Sequence, residues 1–413
     1  MVSVDCFSAI AFRRICSPLR ACATRIISDL NPRGPQPANY NRYYSESLNK
    51  SRSRPCVAVL YQALDPPIIG GVRKPKKPGG YQDSGADIAY CLSNCAEIDV
   101  ISPVPAPDPS KDIGWCWKDT EEGILQAVYE GATHLWANTI LFASHPLQTS
   151  RSLDRYQDFI QVVGQGPLVV EKYDDKQYVN DLLRHLGGFT MPKAWCIHNG
   201  QEIATAITGL PYPIVAKPIR GRGSQGVKVC YTPDELAAHA ENLLASSSSI
   251  ILEEFLEGEE ITITVMPPMQ GRLEYWSLPI VTRFNHHRGI APYNGVVAVT
   301  KNSRVIADSE LGEAYIQARE ECERAAQVLG VTAPIRIDAR RAKDSKDSKF
   351  ALFDVNMKPN MTGPGRPERD DQASLTLLAA SALGWDYREL LRNILRTSRS
   401  LRDIRALRPR QAN

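Results

Sequence analysis

Arg336, Asp338, Asp354 and Asn356 are the residues in this chain whose types and spacing most clearly suit chemistry. They lie in two runs, Ile335-Arg-Ile-Asp-Ala-Arg-Arg and Phe350-Ala-Leu-Phe-Asp-Val-Asn-Met-Lys-Pro-Asn, joined by a charged Lys-Asp-Ser-Lys-Asp-Ser-Lys turn. Each run alternates apolar and polar residues. If both are strands, Arg336 and Asp338 share one face, and Asp354 and Asn356 do likewise. Ile335, Ile337, Phe353 and Val355 then point to a core. Two carboxylates and an amide beside a guanidinium are hard oxygen ligands next to an anion-neutralising cation, the chemistry of a Mg2+ site holding phosphate. The same alternation also describes a half-buried strand pair whose polar face is merely solvated.

Upstream, Gly221-Arg-Gly-Ser-Gln-Gly226 matches the Gly-x-Gly-x-x-Gly spacing of dinucleotide sites, which requires a strand before and a helix after. Here Ile214–Pro218 precedes it, but Val227-Lys-Val-Cys-Tyr231 follows with strand alternation, so the loop closes a hairpin. Glycines there allow backbone N–H groups to approach phosphate oxygens, with Lys217 and Arg220 or Arg222 supplying charge. A mobile surface turn has the same composition. A kinase glycine loop has its lysine downstream, and neither His-Arg-Asp, Asp-Phe-Gly nor a Walker Gly-Lys-Ser/Thr is present. Next comes Ile250-Ile-Leu-Glu-Glu-Phe-Leu-Glu-Gly-Glu-Glu-Ile-Thr262, a buried strand running into acids. It suits a hinge whose backbone groups meet adenine edges and whose carboxylate accepts ribose hydroxyls, though exposed acids after a strand also serve solubility.

The elements that must position these residues fall into two classes. Pro55–Tyr61 reads as a first buried parallel strand, followed by a basic Gly70–Gly80 loop, a helix over Asp83–Cys95, a strand at Ile98–Ile101, a helix at Thr120–Glu130 and a strand at Thr133–Ala137. This is a small doubly wound α/β domain over 51–165. From 166 to 395 the pattern is α+β. A charged helix over Asp174–Leu186 stops at Gly187-Gly188, and strands follow at 214–217, 226–231, 250–254, 260–266 and 335–356. Helices fall near 233–245 and 309–329, and a final one spans about Gln372–Leu395. Residues 396–413 read as a basic, frayed tail.

At 413 residues, 43% hydrophobic and net charge +3, the composition is that of an ordinary globular chain of two or three domains and singles out no nucleic-acid partner. No apolar run approaches the ~20 residues of a membrane span. Ten scattered cysteines lack zinc spacing and read as reduced structural thiols. In the first 44 residues six arginines face only Asp5 and Asp29, and Arg42-Tyr-Tyr-Ser45 resembles a mitochondrial cleavage context, so residues 1–50 read as a transit peptide. A disordered basic extension or a misassigned start shares that composition; without import, the expected location is cytoplasmic.

Lys176, Lys217, the glycine hairpin, the acidic hinge and then Arg336, Asp338, Asp354 and Asn356, in that order, resemble the ATP-grasp superfamily and most closely its D-alanine–D-alanine ligase branch, over Asp175 to Leu395. The resemblance implies a Rossmann-like domain followed by two α+β lobes clasping ATP, a central lobe of about 174–249 and a C-terminal lobe of 250–395. It implies that Lys176 and Lys217 contact ATP, that Gly223, Ser224, Gln225 and Gly226 cover its phosphates, that the backbone at Glu253, Glu254, Phe255 and Leu256 binds adenine, and that Glu260 binds ribose. It also implies two Mg2+ ions, with Mn2+ as a substitute, on Asp338, Asp354 and Asn356. Arg336, Lys217 and Ser224 are then catalytic. The implied reaction is carboxylate activation as an acyl phosphate and attack by an amine, on small-molecule substrates and without nucleic acid or membrane; homodimers are common in the branch. An acceptor other than an amine, or a nucleotide-binding regulatory module without turnover, are the competing readings. The departures concern substrate: Tyr61-Gln-Ala-Leu-Asp-Pro-Pro67 replaces the branch's Gly-Gly-x-Ser-x-Glu, Gly223 stands for a serine, and Lys358 to Arg366 replaces a Ser-rich turn. D-alanine is therefore not the expected substrate. His286, His287, Arg288, Asn360, Thr362, Gly363 and Arg366 are the candidate substrate contacts.

Overall fold

The structure, a computed structural model, describes residues 54–199, 201–292 and 298–411. The arginine-rich segment and its expected cleavage near Ser45 lie outside the described residues. Three sheets carry the fold. The first is built on β1 (Cys56–Tyr61), whose side chains from Cys56 to Leu60 are fully buried. Such a continuous apolar run is what a parallel strand covered on both faces requires. α1 (Gln82–Ser93) leads to β2 (Asp99–Val100); then β3 (Trp117–Lys118), α2 (Glu121–Tyr129), β4 (His134–Asn138) and β5 (Gln161–Val163) follow. β4 and β5 extend the sheet in parallel on one side of β1, while β2 and β3 share its other edge.

After α3 (Pro167–Tyr173) and α4 (Lys176–Leu186), a small antiparallel sheet comprises β6 (Ala194–His198), β7 (Ile214–Pro218), β8 (Lys228–Cys230) and, after α5 (Pro233–Leu244), β9 (Ser249–Glu254) in the order β8-β7-β9-β6. It has its own core, in which Ile214, Ala216, Ile250 and Leu252 meet Leu236 and Ala240 of α5. The third sheet is formed by β10 (Glu260–Met266), β11 (Trp276–Ser277), β12 (Val281–Arg283), β13 (Ser303–Val305) and, beyond α6 (Glu313–Leu329), the hairpin β14 (Ile335–Arg341) and β15 (Phe350–Asn356). Its order is β13-β12-β10-β14-β15, all antiparallel, with β11 on β10. Ile261, Ile263, Val265, Ile335 and Ile337 pack under α6 in one core with Leu60 and Leu135 of the first sheet.

Three expectations are corrected. The single final helix is two, α7 (Leu375–Ser381) and α8 (Tyr387–Leu395), because Gly384 adopts φ +79° and Asp386 caps the second by accepting from the Glu389 N–H. The basic tail is not frayed: β16 (Arg399–Ser400) pairs antiparallel with β5, and α9 (Leu401–Ala406) buries Leu401 and Ile404 completely. Two of its arginines are spent on partners far back in the chain, Arg402 on Asp158 and Arg405 on Asp154. Phe353 does not join the core, for the reason given below. Seven free cysteines lie among the described residues, six of them buried, and burial pushes the Cys91 thiol up to about 12, in keeping with packing roles. Among the described residues no helix is long and apolar enough to cross a membrane.

The turn after β15 is locked to α1 by one buried carboxylate. Asp87, with no exposed surface, accepts from Arg366 Nε at 2.9 Å and Arg369 Nη2 at 2.8 Å, and Arg366 also reaches Asp112 at 2.5 Å. Contact is close enough that a Cβ on Gly365 would stand 2.3 Å from the Asp87 carbonyl oxygen. Removing the carboxylate leaves the buried Arg366 guanidinium with only the half-exposed Asp112 as counter-charge, so Asp87→Ala should lower stability by about 3 kcal/mol, read as a shift in the urea midpoint; an unchanged midpoint would refute the role.

Candidate functional site

The polar face of the third sheet is written by register. Across β12, β10, β14 and β15 the pairs are Glu260 with Arg283, Glu260 with Arg340, Thr262 with Asp338, Thr264 with Arg336, Asp338 with Asp354, and Arg336 with Asn356. The expected alternation places Arg336, Asp338, Asp354 and Asn356 together, but through a bulge. Leu352 opposes Ala339 and Asp354 opposes Asp338, so Phe353 is an extra residue without a partner. Leu352 therefore stays in the core, while Phe353 is carried to the cleft wall. Asp338 accepts from Thr262 Oγ1 at 2.5 Å, Arg336 Nε at 3.0 Å and Asn356 Nδ2 at 3.3 Å. That last contact uses the amide nitrogen and leaves Asn356 Oδ1 without a partner among the described residues.

Two lysines from other elements meet this face. Lys176, the first residue of α4, ion-pairs with Asp354, and its N–H donates to the Ile219 carbonyl beside the glycine loop. Burial opposes both charges, and mutual attraction prevails. Asp354 is held below the ordinary carboxylate range by Lys176 and Lys217, and Lys176 above the ordinary amine value chiefly by Asp354. Lys217 on β7 lies 2.6 Å from Glu253 of β9 and donates to the Phe353 carbonyl at 3.1 Å, joining the small sheet to the bulge. Asn180 completes Glu253 at 3.0 Å.

Above them Gly221–Gly226 closes the β7–β8 hairpin, as expected from the strand on either side. Gly223, Ser224 and Gly226 all have positive φ, which turns the loop back over the cleft. Arg222, Gly223, Ser224 and Gln225 line the cleft, whereas Arg220 is occupied outside it, donating to the Glu171 carbonyl at 2.7 Å. The apolar walls are Val215, Val229, Phe255, Leu256, Ala291 and Phe353. Glu260, 4% exposed, lies at the rim, 3.3 Å from Arg283 and 2.8 Å from His286 Nε2. Arg340 donates to the carbonyls of Gly258 and Gly289 and sets its guanidinium 5.0 Å from the Phe255 ring centre, fixing the hinge to the 286–290 loop.

One cleft thus gathers Lys176, Lys217, Gly223, Ser224, Gln225, Glu253, Glu254, Phe255, Leu256, Glu260, Asp338, Asp354 and Asn356, with Arg336 one contact behind Asp338. Gly226 shapes the loop without lining the cleft. The expected substrate contacts fare differently. His286 is turned onto Glu260, and His287 and Arg288 are exposed at a bridged turn. Asn360 accepts from Thr362 Oγ1 at 2.9 Å, Gly363 is packed against Tyr387, and Arg366 is consumed by Asp87 and Asp112. Arg366 is therefore corrected from a substrate contact to a structural clamp, because its partner lies 279 positions away and no local pattern reveals it. Thr262, Arg283, Arg340 and Phe353 were missed. For Thr262 and Arg340 a signal existed: Glu260, Thr262 and Thr264 alternate through an otherwise apolar strand, and Arg340 continues the Arg336, Asp338 series.

The protein-family model "D-ala D-ala ligase C-terminus" matches residues 189–396. The D-alanine–D-alanine ligase of Bacillus anthracis is 31% identical over 195 residues, 47% of this chain and 56% of that protein. The chain thus spans about half the length of that relative. The Aquifex aeolicus D-alanine–D-alanine ligase is 27% identical over 228 residues, 54% of this chain and 68% of that protein. Among solved structures, the B. anthracis ligase complexed with ATP superposes with a TM-score of 0.58 at 19% identity, covering 85% of this chain and 99% of that one. The VanG D-Ala:D-Ser ligase from Enterococcus faecalis gives 0.56 at 14% identity, covering 83% and 99%. These likenesses describe the fold.

The Lys217–Glu253 pair is nearly fully buried, so Lys217→Met should destabilise by about 3–5 kcal/mol, and the double variant with Glu253→Gln should lose clearly less than the sum of the singles in urea unfolding. Strict additivity would show that the two charges do not depend on one another.

Proposed function

We infer the function from one premise: the chain belongs to the D-ala D-ala ligase C-terminal family, matched over residues 189–396, and has the ATP-grasp fold. We propose that it is an ATP-dependent ligase that activates a substrate carboxylate and joins it to an amine. The observation that carries this reading is the convergence of Lys176, Lys217, Asp338, Asp354 and Asn356 in one cleft beneath a glycine hairpin. In this reading the Glu253–Leu256 backbone receives the adenine edge, Phe255, Phe353, Val215 and Val229 enclose its faces, and Glu260 accepts a ribose hydroxyl. Lys176, Lys217 and the N–H groups of the Gly221–Gly226 loop hold the phosphates.

The donor set suits Mg2+. Two carboxylates and an outward amide oxygen share one face, and no cluster of three His, Cys, Asp or Glu residues stands among the described residues, so phosphate oxygens and water would complete the shell. When bound, the ion neutralises phosphoryl charge. An oxygen of the substrate carboxylate attacks the γ-phosphorus as the bond to the β-phosphate oxygen breaks, and ADP leaves. The amine nitrogen then attacks the acyl carbon, the C–O bond to phosphate breaks, and the ammonium proton is lost. In this reading Arg336, held against Asp338, balances negative charge from behind the metal face, and catalysis is positioning and electrostatics. His286, paired with Glu260, stabilises the nucleotide rim in this reading and is not the base.

Mg-ATP with amino-acid mixtures and a carboxylate panel should give amine-dependent ADP, phosphate and a condensed product by mass. Asp354→Ala and Arg336→Met should each cut the rate by about a hundredfold or more. Amine-independent phosphate release would favour a different acceptor, and nucleotide binding without turnover across the panel would favour a regulatory module.

A further inference from the structure

Three basic side chains from three separate segments surround one aromatic ring. Lys358 Nζ lies 3.7 Å from the Tyr81 ring centre, Lys77 Nζ 5.0 Å and the Arg222 guanidinium 5.9 Å. Lys77 comes from the loop before α1, Arg222 from the glycine hairpin, and Lys358 from the turn after β15. The acid among them, Asp83, is already engaged by Lys77, with both oxygens at 2.7 Å. Lys358 has no ion pair among the described residues. Like charges gathered in a partly desolvated place repel strongly, and a ring face relieves only part of that repulsion.

The backbone is set to hold the ring there. Gly79, Gly80 and Tyr81 have φ of +70°, +58° and +70°, and for Tyr81 this left-handed conformation is strained. Gly80 is pressed against β1's exit: its carbonyl accepts from the Gln62 N–H at 2.8 Å, and a Cβ would stand 2.2 Å from the Gln62 oxygen. Tyr81 stands at the N-cap position of α1 without a side-chain cap, so the ring is held at the start of that helix. Lys77, Tyr81, Arg222 and Lys358 are all half-buried, accessible to a ligand rather than sealed. Arg222 opens the cluster to the cleft. Lys358 is two residues beyond Asn356, at most about 7 Å of extended chain.

We propose that Lys77, Arg222 and Lys358 around Tyr81 form the subsite for an anionic group on the carboxylate substrate, so that the substrate is a small dicarboxylate, one end bound here and the other presented to the Asp338–Asp354–Asn356 face. This deepens the ligase reading and rests on it. An amino acid whose ammonium had to enter this subsite is disfavoured by the same charges. With Lys358 only two residues beyond Asn356 in the chain, the substrate called for is a short one.

Calorimetry on the full chain, with Mg2+ and a non-hydrolysable ATP analogue, tests this with succinate, glutarate and adipate against butyrate, valerate and D-alanine. Wild type should bind at least one dicarboxylate about tenfold or more tightly than the matched monocarboxylate. Lys358→Met and Lys77→Met should each erase most of that preference, Lys358→Arg should keep it, and the nucleotide affinity of all variants should stay at the wild-type value. The proposal is overturned if wild type shows no dicarboxylate preference, or if the preference survives both Met variants. It is also overturned if nucleotide affinity falls in step with charge removal, which would assign the cluster to phosphate. Failure of the ligase reading looks different: a dicarboxylate preference with no dicarboxylate-dependent ADP formation.

Discussion

Asp338 and Asp354 are cross-strand partners, two carboxylates at a register position where like charges repel, and much of the molecule is arranged around making that tolerable. Thr262, Arg336 and Asn356 serve the first, and Lys176 serves the second. These groups come from β10, β14, β15 and α4, so neutralising one acidic pair requires the third sheet and the helix that leads into the small sheet to be in place together. Phosphate chemistry needs this same balance, in which negative charge is held beside cations.

The small sheet contributes through Lys217. Because it bonds both Glu253 within its own sheet and the Phe353 carbonyl of the bulge, it ties a lobe with an independent core to the acidic hairpin. The bulge has two consequences from one extra residue. It keeps Asp354 and Asn356 in phase with Asp338 and Arg336, and it converts Phe353 from core to cleft wall. Arg340, bridging Gly258 and Gly289, completes the enclosure from the hinge side.

Much of the candidate site was legible because its members are coded by short-range periodicity. The alternation in 335–341 and 350–356, the apolar strand entering Glu253–Glu260, and a glycine loop followed by strand rather than helix all survive in the fold. The substrate side was not legible. Arg366 looked like a free guanidinium next to the cleft, yet Asp87 and Asp112 claim it, and His286 looked like a loop tip, yet Glu260 claims it. Short strands such as Gln161–Val163 and Val281–Arg283 carry too few residues to show a period.

The sequence by itself determined which faces are polar, that a doubly wound domain precedes an antiparallel α+β region, and that two acids and an amide share a hairpin with an arginine. Those are properties of a period of two or 3.6 residues, written in neighbours. Only the tertiary structure decided which arginines and lysines are drawn to distant carboxylates and which are gathered around one ring. That choice is made by charges hundreds of residues apart in sequence competing for the same few buried oxygens, and such competition has no local signature. Lys358, Lys77 and Arg222 are unremarkable in the chain; folding sets them around Tyr81.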